Sequence, residues 1–261
     1  MLVLKNHVPF VAIFLLLSPL FSCDFNKQVI VSPEFSVGKV SASSFGFVDN
    51  DNIFSAMAHI DLMKTDGYYP VKAAIIIKRP SYLRLELLPL IGTPDFFLAF
   101  TPDKVNIFIP SRREFYSGQP TSSRLKNFLP WPIAIEDMLM IFTGTYPSFK
   151  EEDISYQGYR ENNLLRLEML APSGSSQIIW VGENNKLLKL VRQDKNGQEV
   201  YTVKYIYDDD RGAVPAKITI TMADGVTALT VRYADVSIEK ATDLSVFDLA
   251  VPAGVKIMTL E

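Results

Sequence analysis

Phe54-Ser55-Ala56-Met57-Ala58-His59-Ile60-Asp61-Leu62 is the stretch that decides the fold. Phe54, Ala56, Ala58, Ile60 and Leu62 fall in one phase of a period-two pattern, and Ser55, His59 and Asp61 fall in the other. Successive side chains of a strand point to opposite faces, so the stretch reads as a half-buried β-strand.

The same pattern spreads outward. Val71, Ala73, Ile75 and Ile77 alternate with Lys72 and Lys78; Leu83, Leu85 and Leu87 alternate with Arg84 and Glu86. Val105, Ile107 and Ile109 alternate with Asn106, and Leu165, Leu167 and Met169 with Arg166 and Glu168. Three turn signals link the later segments: Gly182-Glu183-Asn184-Asn185, Lys195-Asn196-Gly197 and Asp224-Gly225. Asn-Gly and Asp-Gly supply the positive φ that tight hairpins need. Residues 246–257 are the segment expected to close the sheet.

The middle of the chain changes period. Residues 120–128 and 133–142 read as two short helices, with Ile135, Met138, Leu139 and Phe142 at helical spacing. Glu136 and Asp137 suit a first turn, where the helix dipole favours negative charge, and Gly144 suits the stop. Leu129-Pro130-Trp131-Pro132 forms a rigid apolar corner between them. The expected class is mainly β with inserted helices. A single curved antiparallel sheet of about 11 strands forms an unclosed barrel, because one sheet this large curls or closes and two helices are too few to cover both faces.

The start of the chain has its own logic. Lys5 and the apolar run Phe10–Leu20 have the layout of a secretory signal, too short to span ~30 Å of hydrocarbon as a helix. Leu20-Phe21-Ser22-Cys23 resembles the lipobox of bacterial lipoproteins, with a bulkier Phe21 than usual. That resemblance implies a signal peptide over 1–22, a lipidated Cys23 (the chain's one cysteine) opening a tether over 23–37, and a folded domain over 38–261. The mature chain carries a net charge of about −4, so nothing basic invites nucleic acid. It has no second cysteine for a disulfide or a thiolate metal site.

Catalytic motifs are missing. His59 is the one histidine after the signal and lies on a polar strand face, where a surface or rim role fits better than that of a base. No Gly-x-Ser-x-Gly elbow, phosphate loop or His-Glu-x-x-His run occurs. Asp208-Asp209-Asp210-Arg211-Gly212 lacks EF-hand ligand spacing and reads as a solvated turn. Ser111-Arg112-Arg113 and Glu151-Glu152-Asp153 read as plain surface. No enzyme, cofactor or metal is expected.

Leu88-Pro89-Leu90-Ile91-Gly92-Thr93-Pro94 joins two strands, yet its centre is apolar. Leu90 and Ile91 either dip into a bilayer or fold back onto the core. Tyr82-Leu83-Arg84-Leu85, then Pro89-Leu90-Ile91-Gly92-Thr93, then Phe96–Phe100 and Val105–Ile109, then Pro130-Trp131-Pro132-Ile133 and the helix to Gly144, resemble in order the central stretch of the LolA/LolB family, in its LolB-like branch of outer-membrane lipoprotein receptors. Ile91 is inserted relative to the simplest form of that loop, and Leu90 matches its tip better.

The resemblance implies an unclosed β-barrel of eleven strands with a helical lid over an apolar cavity, and no catalytic activity. It implies acylated lipoproteins as cargo, a periplasmic LolA-like carrier as partner, and a monomer facing the periplasm. The expected acyl lining is Phe97, Phe108, Phe115, Trp131, Ile135, Met138, Leu139 and Phe142, each of which taken singly suits an ordinary core better than a lining. Burying a methylene is worth ~0.8 kcal/mol, and a triacylated anchor has enough of them to pass the non-covalent ceiling of about 20 kcal/mol. The cavity therefore shields only part of the cargo. Asp24, directly after Cys23, resembles the inner-membrane retention signal of enteric bacteria, against the outer-membrane location the family implies. The rival reading is an envelope lipoprotein of the same shape with a filled core, acting as a structural or adaptor subunit.

Overall fold

Among the described residues fifteen strands form one sheet, fourteen of them longer than two residues. The computed structural model describes residues 29–30, 47–89, 94–120, 127–129, 133–161, 163–208 and 212–260. In chain order the strands are β1 (Val29–Ile30), β2 (Asn52–Lys64), β3 (Gly67–Lys78), β4 (Tyr82–Leu88) and β5 (Phe96–Phe100). They continue with β6 (Val105–Ile109), β7 (Glu114–Gly118), β8 (Ser155–Glu161), β9 (Leu164–Leu170) and β10 (Ser176–Val181). The last are β11 (Leu187–Gln193), β12 (Glu199–Tyr207), β13 (Pro215–Met222), β14 (Ala228–Lys240) and β15 (Lys256–Thr259). One described helix, α1 (Ile135–Phe142), interrupts them.

The spatial order is β1-β8-β9-β10-β11-β12-β13-β14-β2-β3-β4-β5-β6-β7-β15. Neighbours are antiparallel except β7 and β15, which run parallel. The two end strands do not pair with each other, so the sheet stays unclosed. The expected count of about eleven falls short in part because β7 (Glu-Phe-Tyr-Ser-Gly) and β8 (Ser-Tyr-Gln-Gly-Tyr-Arg-Glu) have no aliphatic alternation to announce them, and β1 is only two residues long. Pairing with their neighbours, not their own pattern, makes them strands.

Turn chemistry fixes the hairpin registers. Asp194 accepts from the backbone N–H groups of Asn196 (2.8 Å) and Gln198 (2.9 Å), while Gly197 takes φ 75°. Asp224 does the same for Val226 and Thr227, with Gly225 at φ 68°. The β2–β3, β4–β5, β6–β7, β9–β10, β11–β12 and β13–β14 connections lie at one end, called here the upper rim. The β3–β4, β5–β6 and β10–β11 connections lie at the other, the lower rim.

The concave face carries the core. Leu83, Leu85 and Leu87 stand opposite Phe100, Leu98 and Phe96, and Leu98 and Phe100 opposite Ile107 and Val105. Phe54, Ala56, Ala58, Ile60 and Leu62 all face it and are buried, as their spacing requires.

The C-terminal residues form a strap over the convex face. Arg84 donates from Nη1 to the Val246 carbonyl (2.9 Å), Phe247 is buried with its ring 5.3 Å from that of Tyr82, and Arg113 donates to the Gly254 carbonyl (3.0 Å). The strap ends as β15 along the edge of β7. Residues 246–257 thus do not close the barrel: only Lys256–Thr259 join the sheet.

The expected signal segment, Cys23, Asp24, most of the tether, Leu90, Ile91 and Trp131 lie outside the described residues. So do residues 121–126 of the first expected helix and residues 209–211 of the acidic turn. No described helix is long and apolar enough to cross a membrane. Among the described residues no group of three His, Cys, Asp or Glu is placed to hold a metal ion.

Candidate functional site

Helix α1 lies against the concave face, and its packing follows from its sequence. Ile135, Met138, Leu139, Ile141 and Phe142 are buried, each burial contributing about 1.5–3 kcal/mol. Glu136 and Asp137 occupy the first turn. Gly144 leaves the helix at φ 74° and donates to the Ile141 carbonyl (3.0 Å), while the Thr143 hydroxyl donates to the Leu139 carbonyl (2.8 Å).

Three tyrosines of the sheet reach the helix and its exit. The hydroxyl of Tyr201 donates to Asp137 Oδ2 (3.2 Å), that of Tyr205 to the Thr145 carbonyl (3.0 Å) and that of Tyr233 to the Phe142 carbonyl (2.7 Å). Gln177 adds a bond from Nε2 to the Pro147 carbonyl (3.1 Å). A buried hydroxyl needs a partner, and here each partner belongs to the helical segment. Burial pushes all three phenols well above the usual tyrosine range, so they remain donors throughout the physiological range. Burial also raises the Asp137 carboxyl, against the pull of Arg192 and the Tyr201 hydrogen bond.

The helix covers the β12–β14 half of the concave face. Over β3–β7, near the upper rim, the apolar lining is only half-buried: Val71, Leu87, Phe96, Ile109 and Tyr116, with Phe128 and Ile133 beside them. Leu87 pairs with Phe96, and Phe96 lies one step from the Phe97–Phe108 pair, which places Ile109 in the same row. The Phe128 ring meets that of Tyr116 at 4.6 Å in an edge-on contact. These side chains form an apolar mouth next to the ends of β4 and β5, between which Leu90 and Ile91 fall in the chain.

The structure divides the expected lining residues. Ile135, Met138, Leu139 and Phe142 meet on the concave side. Phe97, Phe108 and Phe115 pair across β5, β6 and β7 in the opposite phase, on the convex side. Phe97 and Phe108 stack with centroids 5.9 Å apart, and Phe115 is buried. They cannot line one cavity with the helix. The alternation of Val105, Ile107 and Ile109 already assigns Phe108 to the other face.

Sequence reasoning missed the tyrosines and the mouth row. Tyr201 and Tyr205 share the phase of buried Val203, a signal that was present in the chain. The mouth depends on register between strands, which no single segment encodes.

No family model matches this sequence, and no curated protein matches it. Solved structures do. An outer membrane lipoprotein-sorting protein domain from Vibrio parahaemolyticus is similar at 14% identity and a TM-score of 0.53, over 76% of this chain and 90% of that one. A LolA superfamily protein from Nitrosomonas europaea is similar at 16% identity and a TM-score of 0.54, over 80% and 94%. A DUF1329 family protein from Desulfovibrio piger is similar at 10% identity and a TM-score of 0.54, over 76% and 90%. At such identities the likeness is one of fold alone.

Proposed function

We propose that this chain is a non-catalytic, lipid-anchored envelope protein facing the periplasm. It accepts acylated lipoproteins from a LolA-like carrier, shelters part of their acyl chains against its concave face, and helps place them in the outer membrane. The observation that carries the reading is the half-buried apolar mouth of Val71, Leu87, Phe96, Ile109, Tyr116 and Phe128 beside a helix that covers the rest of that face. Ile135, Met138, Leu139 and Phe142 would line the sheltered side, with Trp131 next to them in sequence. Cys23 would hold the anchor, and Leu90 with Ile91 would touch the bilayer. Asp24 leaves the inner membrane as the other location to test, by fractionating the two membranes.

The complete burial of the apolar side of α1 favours one rival, an adaptor of the same shape whose interior is filled. Titration of the purified protein with a fluorescent acyl probe separates the two. Saturable binding that a long-chain lipid displaces is the expected result; no binding to the well-folded protein leaves the adaptor. In the delivery assay, replacing Leu90 and Ile91 by Glu should reduce transfer to membranes while thermal unfolding stays unchanged. Unimpaired transfer would remove the loop from the proposal.

A further inference from the structure

Arg79 is the one charged side chain among the described buried residues, at 2% exposure. It continues the concave phase of Ala73, Ile75 and Ile77 at the lower end of β3. Its Nη2 donates to the carbonyl of Val48, a core residue, which fixes the guanidinium plane. Its Nε and Nη1 are buried and have no hydrogen-bond partner. Asp49 is the acidic group that acts on it from the exposed lower rim, where it draws the guanidinium pKa back up against the lowering by burial.

This arrangement is costly as it stands. A guanidinium stays protonated in proteins and carries five donors. Leaving donors of a charged group unmet in an apolar interior is more expensive than leaving a neutral one, and a buried charge is tolerated when it is paired. The missing counterpart is an anion with oxygen acceptors, the chemistry a guanidinium binds best. Its surroundings specify the rest of that ligand. From Arg79 the concave face is apolar through Ile77, Ile75 and Ala73, all fully buried, to the half-buried row of Leu87 and Phe96 at the mouth. The six residue steps from Ala73, which pairs with Leu87, to Arg79 just past the end of β3 span about 20 Å. That is the scale of an extended long-chain acyl group.

We propose that the concave face binds a single-chain amphiphile ending in an anion, carboxylate or phosphate. The anion sits on Nε and Nη1 of Arg79, and the chain runs up the apolar face to the mouth. This rests on the reading of the concave face as an acyl site and deepens it, because the acyl chains of a lipoprotein anchor carry no terminal anion. Arg79 thereby sorts free anionic lipids from neutral acyl groups.

The test uses the purified full chain and displacement of a neutral fluorescent acyl probe by palmitate, hexadecyl phosphate and methyl palmitate. Wild-type protein should bind palmitate or hexadecyl phosphate at least tenfold more tightly than methyl palmitate, and the tighter of the two names the anion. Arg79→Met should abolish that preference while leaving the methyl palmitate affinity within twofold, and Arg79→Lys should keep part of it. Equal binding of all three by the wild-type protein overturns the role of Arg79 and leaves the acyl site standing. A preference that survives in Arg79→Met also overturns it. Failure of the probe and all three competitors to bind removes both this inference and the acyl site. Should Arg79→Met not fold, the wild-type comparison of acid with ester still decides.

Discussion

The two faces of β5, β6 and β7 make an instructive pair. On the concave side stand Leu98, Ile107 and Tyr116; on the convex side, in the alternate phase, stand Phe97, Phe108 and Phe115. Both sides carry apolar side chains; the first is met by Phe128 on Tyr116 and stays half-buried at the rim, and the C-terminal strap crosses the second. A covered convex face explains why large aromatic side chains can occupy positions that a two-layer fold would leave polar. Only the concave side runs on to the half-buried mouth. Burial alone therefore does not mark a binding face; continuity with a partly open rim does.

The sharpest way to break this comparison is to empty each side in turn. Phe247→Ala in the strap should cost about 3–5 kcal/mol in denaturant unfolding and leave acyl-probe affinity unchanged. Met138→Ala on α1 should cost about 2–5 kcal/mol and also shift probe affinity. If the two variants alter the affinity alike, the two faces are not functionally distinct. A smaller effect sharpens the role of the strap edge. A Cβ added at Gly118 would lie 2.7 Å from Leu260 Cβ and 2.9 Å from the Leu260 carbonyl oxygen. Gly118→Ala should then cost about 1–3 kcal/mol and speed hydrogen exchange in β15 before β2 or β14.

The smallest expected effect concerns pH. Burial holds the Asp137 carboxyl above its usual range. Its folded pKa exceeds the unfolded one, so stability falls as pH rises from the unfolded value through the folded one. Asp194, Asp224 and Asp243 shift the other way, lowered by hydrogen bonds in exposed turns. Their contribution is present above the unfolded value and lost as pH falls through the folded one. Asp137→Asn should remove the first trend and leave the second intact; urea midpoints measured from pH 3 to pH 7 check both.

Much of the sheet was legible because its signals are local. Phe54 to Leu62, Leu83 to Leu87 and the Asn196-Gly197 and Asp224-Gly225 turns each carry their own pattern. The helix over Ile135–Phe142 was legible for the same reason, down to its stop at Gly144. β7 and β8 were not, since their aromatic and polar residues become strand only when a neighbouring edge offers hydrogen bonds. The concave half of the expected lining came out together because helical spacing defines one side unambiguously. Phe97, Phe108 and Phe115 were drawn to it by hydrophobicity, although their phase along the strands pointed away.

The sequence by itself determined most of the secondary structure, the chirality-demanding turns and the phase of each strongly alternating strand, because these depend on residues a few positions apart. Tertiary structure alone decided which apolar face is concave, what covers each face, and that Arg79 enters the core beside Val48. Those outcomes arise from contacts between segments distant in the chain: Tyr201 with Asp137, Arg84 with Val246, Tyr233 with Phe142. Period two can say that two side chains share a face. Only the curvature of the assembled sheet and the segments laid across it say whether that face looks inward.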